Sequence, residues 1–239
     1  MIFSSFQFLL FFLIVLLVLS LIRGDRFRKL WLLAASYYFY GYWDYRFLCL
    51  ISVSTVIDYV IWQTLHRTQN AKARKLLLLV SLVANLGLLG FFKYYNFFVD
   101  SAGAALAAWG LGISNLDIIL RVGISFYTFQ TLSYTIDVYR RKIEAVKNFF
   151  DFSLFVAFFP QLVAGPIVRA ADFFPQLKRP VRITTTNIWA GSQIFIIGLF
   201  KKLMIADAVA PLVDGVYGYP EFYASPTVWL AVIAYSLQI

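Results

Sequence analysis

The sequence is poor in the residues that build disulfides and metal sites. Its 239 residues include one cysteine, Cys49, and one histidine, His66. A lone cysteine cannot close a disulfide within the chain, and one histidine without a thiol partner cannot complete a zinc site. His66 lies in TLHRTQNAKARK, beside a basic cluster, where we predict an interface or loop residue and no general base. The sequence therefore indicates no redox chemistry, no metal site and no Ser-His-Asp triad.

Charge is also scarce, since only 14% of the residues are charged while 61% are hydrophobic and 19% are aromatic. A soluble domain has roughly 45–50% apolar residues. Residues 1–22 carry no charge, and a helix of this length is long enough to cross a hydrocarbon core of about 30 Å. A cleaved signal peptide is disfavoured because basic residues follow this run instead of preceding it. We predict an all-α integral membrane protein, a multi-pass helical bundle that forms one domain over 1–239 and has the lipid bilayer as its partner.

Basic residues dominate the charge that is present, with 21 Lys and Arg against 12 Asp and Glu. Sixteen of them fall into four clusters between apolar runs, a pattern typical of membrane topology and not of nucleic-acid binding. We place all four clusters in the cytoplasm, and the N-terminus and the connections 100–117 and 206–225, which lack Lys and Arg, outside. The clusters are Arg23, Arg26, Arg28 and Lys29; Arg67, Lys72, Arg74 and Lys75; Arg140, Arg141, Lys142 and Lys147; and Arg169, Lys178, Arg179 and Arg182.

Helices fitted between these clusters alternate across the membrane. They cover about residues 2–22, 30–43, 45–65, 76–98, 118–138 and 188–205. The stretch SAGAALAAWGLG at 101–112 is predicted to be a linker. The segment 226–239 has 14 residues and no basic anchor after it, so we expect the chain to be truncated within a helix.

A proline-rich stretch interrupts this pattern at Phe158 to Leu177, FFPQLVAGPIVRAADFFPQL, where the pentapeptide FFPQL occurs twice. Pro160, Pro166 and Pro175 each remove a backbone donor, and lipid cannot supply the missing partners. Because both flanks of 149–168 are basic, we predict a broken, re-entrant segment that enters and leaves on the same side.

Two embedded acidic residues and one amide also stand out, because a charge at the centre of a bilayer costs at least about 2.5 kcal/mol. For Asp58 we predict structural pairing with a Lys or Arg of another helix in preference to substrate handling. Asn85 and Asp137 are the others.

Three ordered motifs resemble the membrane-bound O-acyltransferase family. They are VGISFYTFQTLSYTIDVYR at 122–140, FFPQLVAGPIVRAADFFPQL at 158–177 and GLFKKLMIADAVA at 198–210. The chain is most similar to the bacterial alginate O-acetylase branch, and the teichoic-acid D-alanyl transferase branch is a near relative. The resemblance covers essentially the whole chain.

This resemblance implies acyl transfer from a cytoplasmic donor, acetyl-CoA or an acyl carrier, to hydroxyls of an extracytoplasmic polysaccharide at the bacterial inner membrane. Periplasmic acetyl-transfer proteins are the implied partners. The family's catalytic histidine would lie beyond Ile239, and His66 does not match it, so we assign no catalytic residue and expect this chain alone to be inactive. The alternatives are a non-catalytic scaffold or transport module of polysaccharide export and D-alanyl transfer to teichoic acid.

The candidate residues for the substrate path fall into three sets. The resemblance places the first near the donor side, with hydrogen bonding between helices as the alternative role; in the second, Arg169 attracts either donor phosphates or anionic headgroups. The third is a basic pair with two possible roles. Either it faces an internal polar funnel that holds a polyanionic acceptor, or the helix fitted at 188–205 is tilted or begins deeper in the membrane. The sets are Gln130, Tyr134, Asp137 and Arg140; Gln161, Gly165, Pro166 and Arg169; and Lys201 and Lys202.

Overall fold

A computed structural model describes residues 5–42, 45–108, 123–162, 165, 167–180 and 183–239. These residues form helices and no strand, so the all-α prediction is confirmed. The helices are α1 Phe6–Leu21, α2 Asp25–Gly41, α3 Arg46–Arg67, α4 Ala71–Ala108, α5 Ile124–Tyr139, α6 Phe149–Ala157, α7 Phe159–Leu162, α8 Ala170–Lys178, α9 Thr185–Phe200, α10 Asp207–Gly218 and α11 Ser225–Gln238. A π-helical segment, Lys201–Ala206, joins α9 to α10, and a 3-10 turn, Pro220–Phe222, precedes α11.

Several helix boundaries differ from the sequence prediction. The predicted linker is helical over residues 101–108, because its run of alanines has high helix propensity and tolerates one glycine. The predicted connection 206–225 contains α10, which is rich in Ala, Val and Leu. Of the described helices, those long and apolar enough to cross a membrane are Leu48–Arg67 in α3 and Ala71–Ser101 in α4.

The chain divides into two compact units, residues 1–180 and 181–239. The core of the first unit is aromatic. The Trp62 ring is fully buried and meets Tyr134 at 5.3 Å and Phe152 at 5.2 Å between ring centroids. A second cluster forms where Phe159 packs edge-on against Phe11 at 5.2 Å. These rings fix the helices of the first unit around the proline-rich segment.

The second unit is more open when taken by itself. Its α10 and α11 pack through small and branched side chains, including Val213, Val216 and Ala231. No residue of α9 is buried within the described part of the chain. A helix that is apolar on every face needs lipid or protein around it.

Candidate functional site

The candidate site is the break between α6 and α7, where the helical hydrogen-bond ladder stops at Phe158. The Phe155 carbonyl, in the last turn of α6, accepts a hydrogen bond from Gln130 Nε2 at 2.7 Å. The Phe159 amide, after the break, donates to Ser36 Oγ at 3.3 Å. A helix end has carbonyls and amides without helical partners, and here α5 and α2 supply them. Gln130, a predicted path residue, therefore supports the break.

A close backbone approach follows in the same segment. The Gly165 amide donates to the Gln161 carbonyl at 3.1 Å. A Cβ on Gly165 would lie 2.8 Å from Gln161 Cα, so this position requires glycine. The structure brings these two candidates together, and the Gln161 Oε1 atom is buried without a partner among the described residues. The third candidate, Pro166, lies outside the described residues.

Both ends of the broken segment are held by the first turn of α2. Arg28 donates to the carbonyls of Leu177 at 2.7 Å and Arg179 at 3.0 Å, at the end of α8. Its neighbour Lys29 pairs with Asp151, near the start of α6, at 3.1 Å. The chain from α6 to α8 thus leaves and returns at the same end of the bundle.

The ion pairs of Lys29 also set its protonation. Burial lowers the pKa of Lys29, but hydrogen bonds to Asp151 and Asp25 outweigh burial and hold this pKa above its ordinary value. Lys29 therefore stays charged at neutral pH and keeps the start of α6 attached to α2.

Arg74 binds carbonyls at the ends of α3 and α5, as Arg28 does at the end of α8. We call each of these arginines, hydrogen-bonded to helix-end carbonyls, a clamp. Arg74 is 7% exposed and donates to the carbonyls of Leu65 at 2.6 Å and Tyr139 at 2.7 Å. Its guanidinium also lies 5.6 Å from the centre of the Tyr139 ring. A cation at a helix C-terminus neutralises the negative end of the helix dipole. The sequence interpretation missed this role, since a basic cluster reads first as a topology signal.

The remaining candidate residues of α5 do not lie together at one site. Tyr134 is fully buried, and its hydroxyl accepts a hydrogen bond from the Val146 amide at 2.8 Å. Asp137 is half-buried and Arg140 is exposed at the helix end, about 15 Å along the axis from Gln130. The path role of these residues stays a prediction.

Arg169 is separated from the basic residues with which the sequence groups it. It caps the start of α8, whereas Lys178 ends that helix, about 13 Å away along the axis. Lys201 and Lys202 are exposed in the π-helical segment, where Lys202 pairs with Asp207. The five-residue spacing of that pair matches the wider π-helical turn.

Asp58 has partners other than those predicted. Its side chain is 1% exposed, and Oδ1 accepts hydrogen bonds from Asn85 Nδ2 at 2.7 Å and Ser81 Oγ at 3.2 Å. The predicted Lys or Arg partner is wrong, because α4 and α5 present neutral donors here. Thr131 extends the cluster by donating to Asn85 Oδ1 at 3.4 Å.

A pocket of about 300 Å³ opens beside the Arg74 clamp. It lies between the end of α3 and the loop after α5, and its lining includes His66, Gln69, Arg141, Lys142 and Glu144. Of the described non-glycine residues, Arg141 has a positive φ, 57°. No local sequence pattern indicates this pocket, because its lining comes from positions about 75 residues apart. Among the described residues, no group of three or more His, Cys, Asp or Glu could hold a metal ion.

Comparisons with curated proteins agree with the motifs. The chain is 40% identical to the probable alginate O-acetylase of Pseudomonas aeruginosa and 39% identical to that of Azotobacter vinelandii, in both cases along its whole length. It is 34% identical to the peptidoglycan O-acetyltransferase of Helicobacter pylori over 91% of its length. The chain spans 46%, 48% and 46% of these relatives, less than half of each. No protein-family model and no solved structure matches it.

Proposed function

We propose that this chain, which belongs to the membrane-bound O-acyltransferases of the alginate O-acetylase type, is the N-terminal part of an enzyme. The proposed enzyme acetylates hydroxyls of an exported polysaccharide such as alginate. The observation that carries this proposal is the 40% identity over the whole chain. Similarity that extends along the whole chain favours a shared architecture over a single shared motif.

The proposed setting is a multi-pass position in the bacterial inner membrane with the N-terminus outside. Two observations support it. The α3 and α4 helices are long and apolar enough to span, and the Arg28 and Arg74 clamps gather basic residues at helix ends. Lys and Arg accumulate on the cytoplasmic side of membrane proteins.

The proposed role of the broken segment is to open the helical wall to a cytoplasmic acyl donor, acetyl-CoA or an acyl carrier. Non-helical backbone in a membrane is tolerated where protein or a water-filled path surrounds it. Gln130 and Ser36 meet this condition at the break. On this proposal the catalytic residues lie in the part of the relatives that the chain does not span, since His66 is exposed at the end of α3 and lines the pocket beside Arg74.

A second candidate acceptor is peptidoglycan. The 34% identity to the Helicobacter pylori peptidoglycan O-acetyltransferase favours it. Both acceptors are extracytoplasmic glycans, so the same membrane chemistry serves either. A non-catalytic role in polysaccharide export and D-alanyl transfer to teichoic acid remain alternatives without an observation of their own.

The test is a chimera in which residues 1–239 of this chain replace the matching part of the Pseudomonas aeruginosa protein. It would be expressed in an alginate-producing strain that lacks its own O-acetylase. We expect ester-bound acetyl groups on the secreted alginate, measured by NMR. The chain without the added C-terminal part should give none.

The membrane content of the chimera, measured with a fluorescent tag, is the control. A chimera present at the level of the natural enzyme that leaves alginate unacetylated would overturn the proposal for alginate. Acetylated muropeptides in the same cells would then assign the chain to peptidoglycan. An increase in the amount of secreted alginate without acetyl groups would support the scaffold.

A further inference from the structure

We propose that the pocket between α3 and the loop after α5 binds a phosphate group. The side chains that would contact it are His66, Gln69, Arg141 and Lys142, which line the pocket and are exposed. Glu144 is the opposing carboxylate in the lining. The two cations outnumber it, so the pocket favours an anion.

The carbonyls around the pocket would by themselves repel a phosphate, because α3 and α5 both end here. Arg74 removes this obstacle. It occupies the carbonyls of Leu65, Thr68, Val138 and Tyr139 from a buried position. The remaining cations then face the pocket without competing for the helix ends.

The backbone conformation of Arg141 indicates that its side chain has a role, because this position would favour glycine. The Arg141 amide donates to the Val138 carbonyl and the Lys142 amide donates to the Asp137 carbonyl, which closes α5 with a Schellman motif. The residue at this position adopts the left-handed conformation that glycine accepts without strain. An arginine here costs stability.

A hydrogen bond also holds the side chain of Arg141 in a defined orientation. Arg141 Nη2 donates to Gln69 Oε1 at 2.9 Å, which links the loop after α5 to the end of α3. A planar guanidinium has further donors to offer, and its fork matches two oxygens of a phosphate. Lys142, the next residue, adds a second cation.

Two sources can supply the phosphate. One is the diphosphate of a coenzyme A donor, in which case the inference deepens the proposed function and rests on it. The other is an anionic phospholipid headgroup at the same membrane face. A pocket of about 300 Å³ holds a phosphate-bearing fragment and leaves the rest of either ligand outside.

The experiment measures binding and not acetyl transfer, so it is independent of whether the proposed enzyme is correct. The purified 239-residue chain in detergent would be titrated calorimetrically with coenzyme A and, separately, with inorganic pyrophosphate. Short-chain dihexanoyl phosphatidylglycerol and, separately, dihexanoyl phosphatidylcholine, titrated in the same detergent, would give the lipid arm. The key variant is Arg141→Gly, which keeps the turn geometry and removes the guanidinium.

We expect Arg141→Gly to weaken binding about tenfold or more while the melting temperature stays equal or rises. Lys142→Gln should weaken it as well, and Lys72→Gln, an exposed change outside the pocket, should not. Loss of coenzyme A and pyrophosphate binding together assigns the pocket to a soluble donor. Loss confined to phosphatidylglycerol assigns it to a headgroup. Binding that is absent in the natural chain, or unchanged in Arg141→Gly, overturns the inference.

Discussion

Arg28 and Arg74 each place a guanidinium against the carbonyl end of a helix. Both are 7% exposed, although each belongs to a cluster that the sequence marks only as a topology signal. The two roles are compatible, because a cation that caps a helix end also keeps that end at the charged face of the bundle. The sequence shows how many cations lie at such a face. It does not show which of them are buried, because their carbonyl partners come from distant helices.

Replacing Arg74 by Gln should destabilise the first unit strongly. The change leaves carbonyls at the ends of α3 and α5 without charged donors in a buried place, at a cost of about 2–4 kcal/mol. For a chain of this size we expect a fall of roughly 5–10 °C in the melting temperature, measured by tryptophan fluorescence in detergent.

Lys75→Gln is the matched control, since it removes one charge from the same cluster at an exposed position. It should change the melting temperature by less than about 2 °C. Equal losses in both variants would mean that charge number and not the carbonyl clamp stabilises this end.

The broken segment is the element that the sequence predicted best. Prolines and glycine located the interruption, and the structure ends α6 at Ala157, within the predicted run. Its partners could not be predicted, because Ser36 lies 123 positions before Phe159 and no local pattern joins them. Other helix boundaries were harder to predict from the sequence. The helix α10, for example, lies where the absence of Lys and Arg had indicated a connection.

Gly165→Ala should disturb this element through a backbone collision. The added Cβ would lie 2.8 Å from Gln161 Cα and 3.0 Å from its carbonyl oxygen, and backbone cannot swing aside as a flexible side chain can. We expect a loss of about 1–3 kcal/mol, read as a lower melting temperature, together with less acetylation by the chimera described above.

Gly90→Ala supplies the comparison, because it makes the same chemical change inside α4 where a Cβ meets nothing within 4 Å. Helix propensity predicts a gain of up to about 1 kcal/mol there. If Gly165→Ala were as well tolerated as Gly90→Ala, the close approach at the break would not be a constraint on the fold.

At the scale of the whole first unit, the basic residues converge on one end. Arg28 contacts the end of α8, Lys29 contacts the start of α6, and Arg74 contacts the ends of α3 and α5. Arg28 thereby joins the first basic cluster to Arg179 of the fourth, and Arg74 joins the second cluster to the helix end that carries the third. Counting charges predicts a shared membrane side for the clusters, and the tertiary contacts bring Arg28, Lys29 and Arg74 to helix ends of the first unit, as that prediction requires.

Cysteine labelling tests this arrangement in cells, and the single natural cysteine makes it simple. In a Cys49→Ser background, Lys72→Cys, Lys147→Cys and Lys178→Cys should react with a membrane-impermeant maleimide only after the inner membrane is opened. Tyr219→Cys should react in intact spheroplasts, because we place the connection 206–225 outside. All four positions are exposed.

The pair at 147 and 178 carries the most information, because these residues flank the broken segment. A re-entrant segment leaves both on one side, whereas a complete crossing separates them. Labelling of one of the two in intact spheroplasts would contradict the re-entrant arrangement even if the other positions behaved as expected. Labelling of neither, with Tyr219→Cys reactive, would leave the break as an opening reached from the basic face, where a water-soluble acyl donor would arrive.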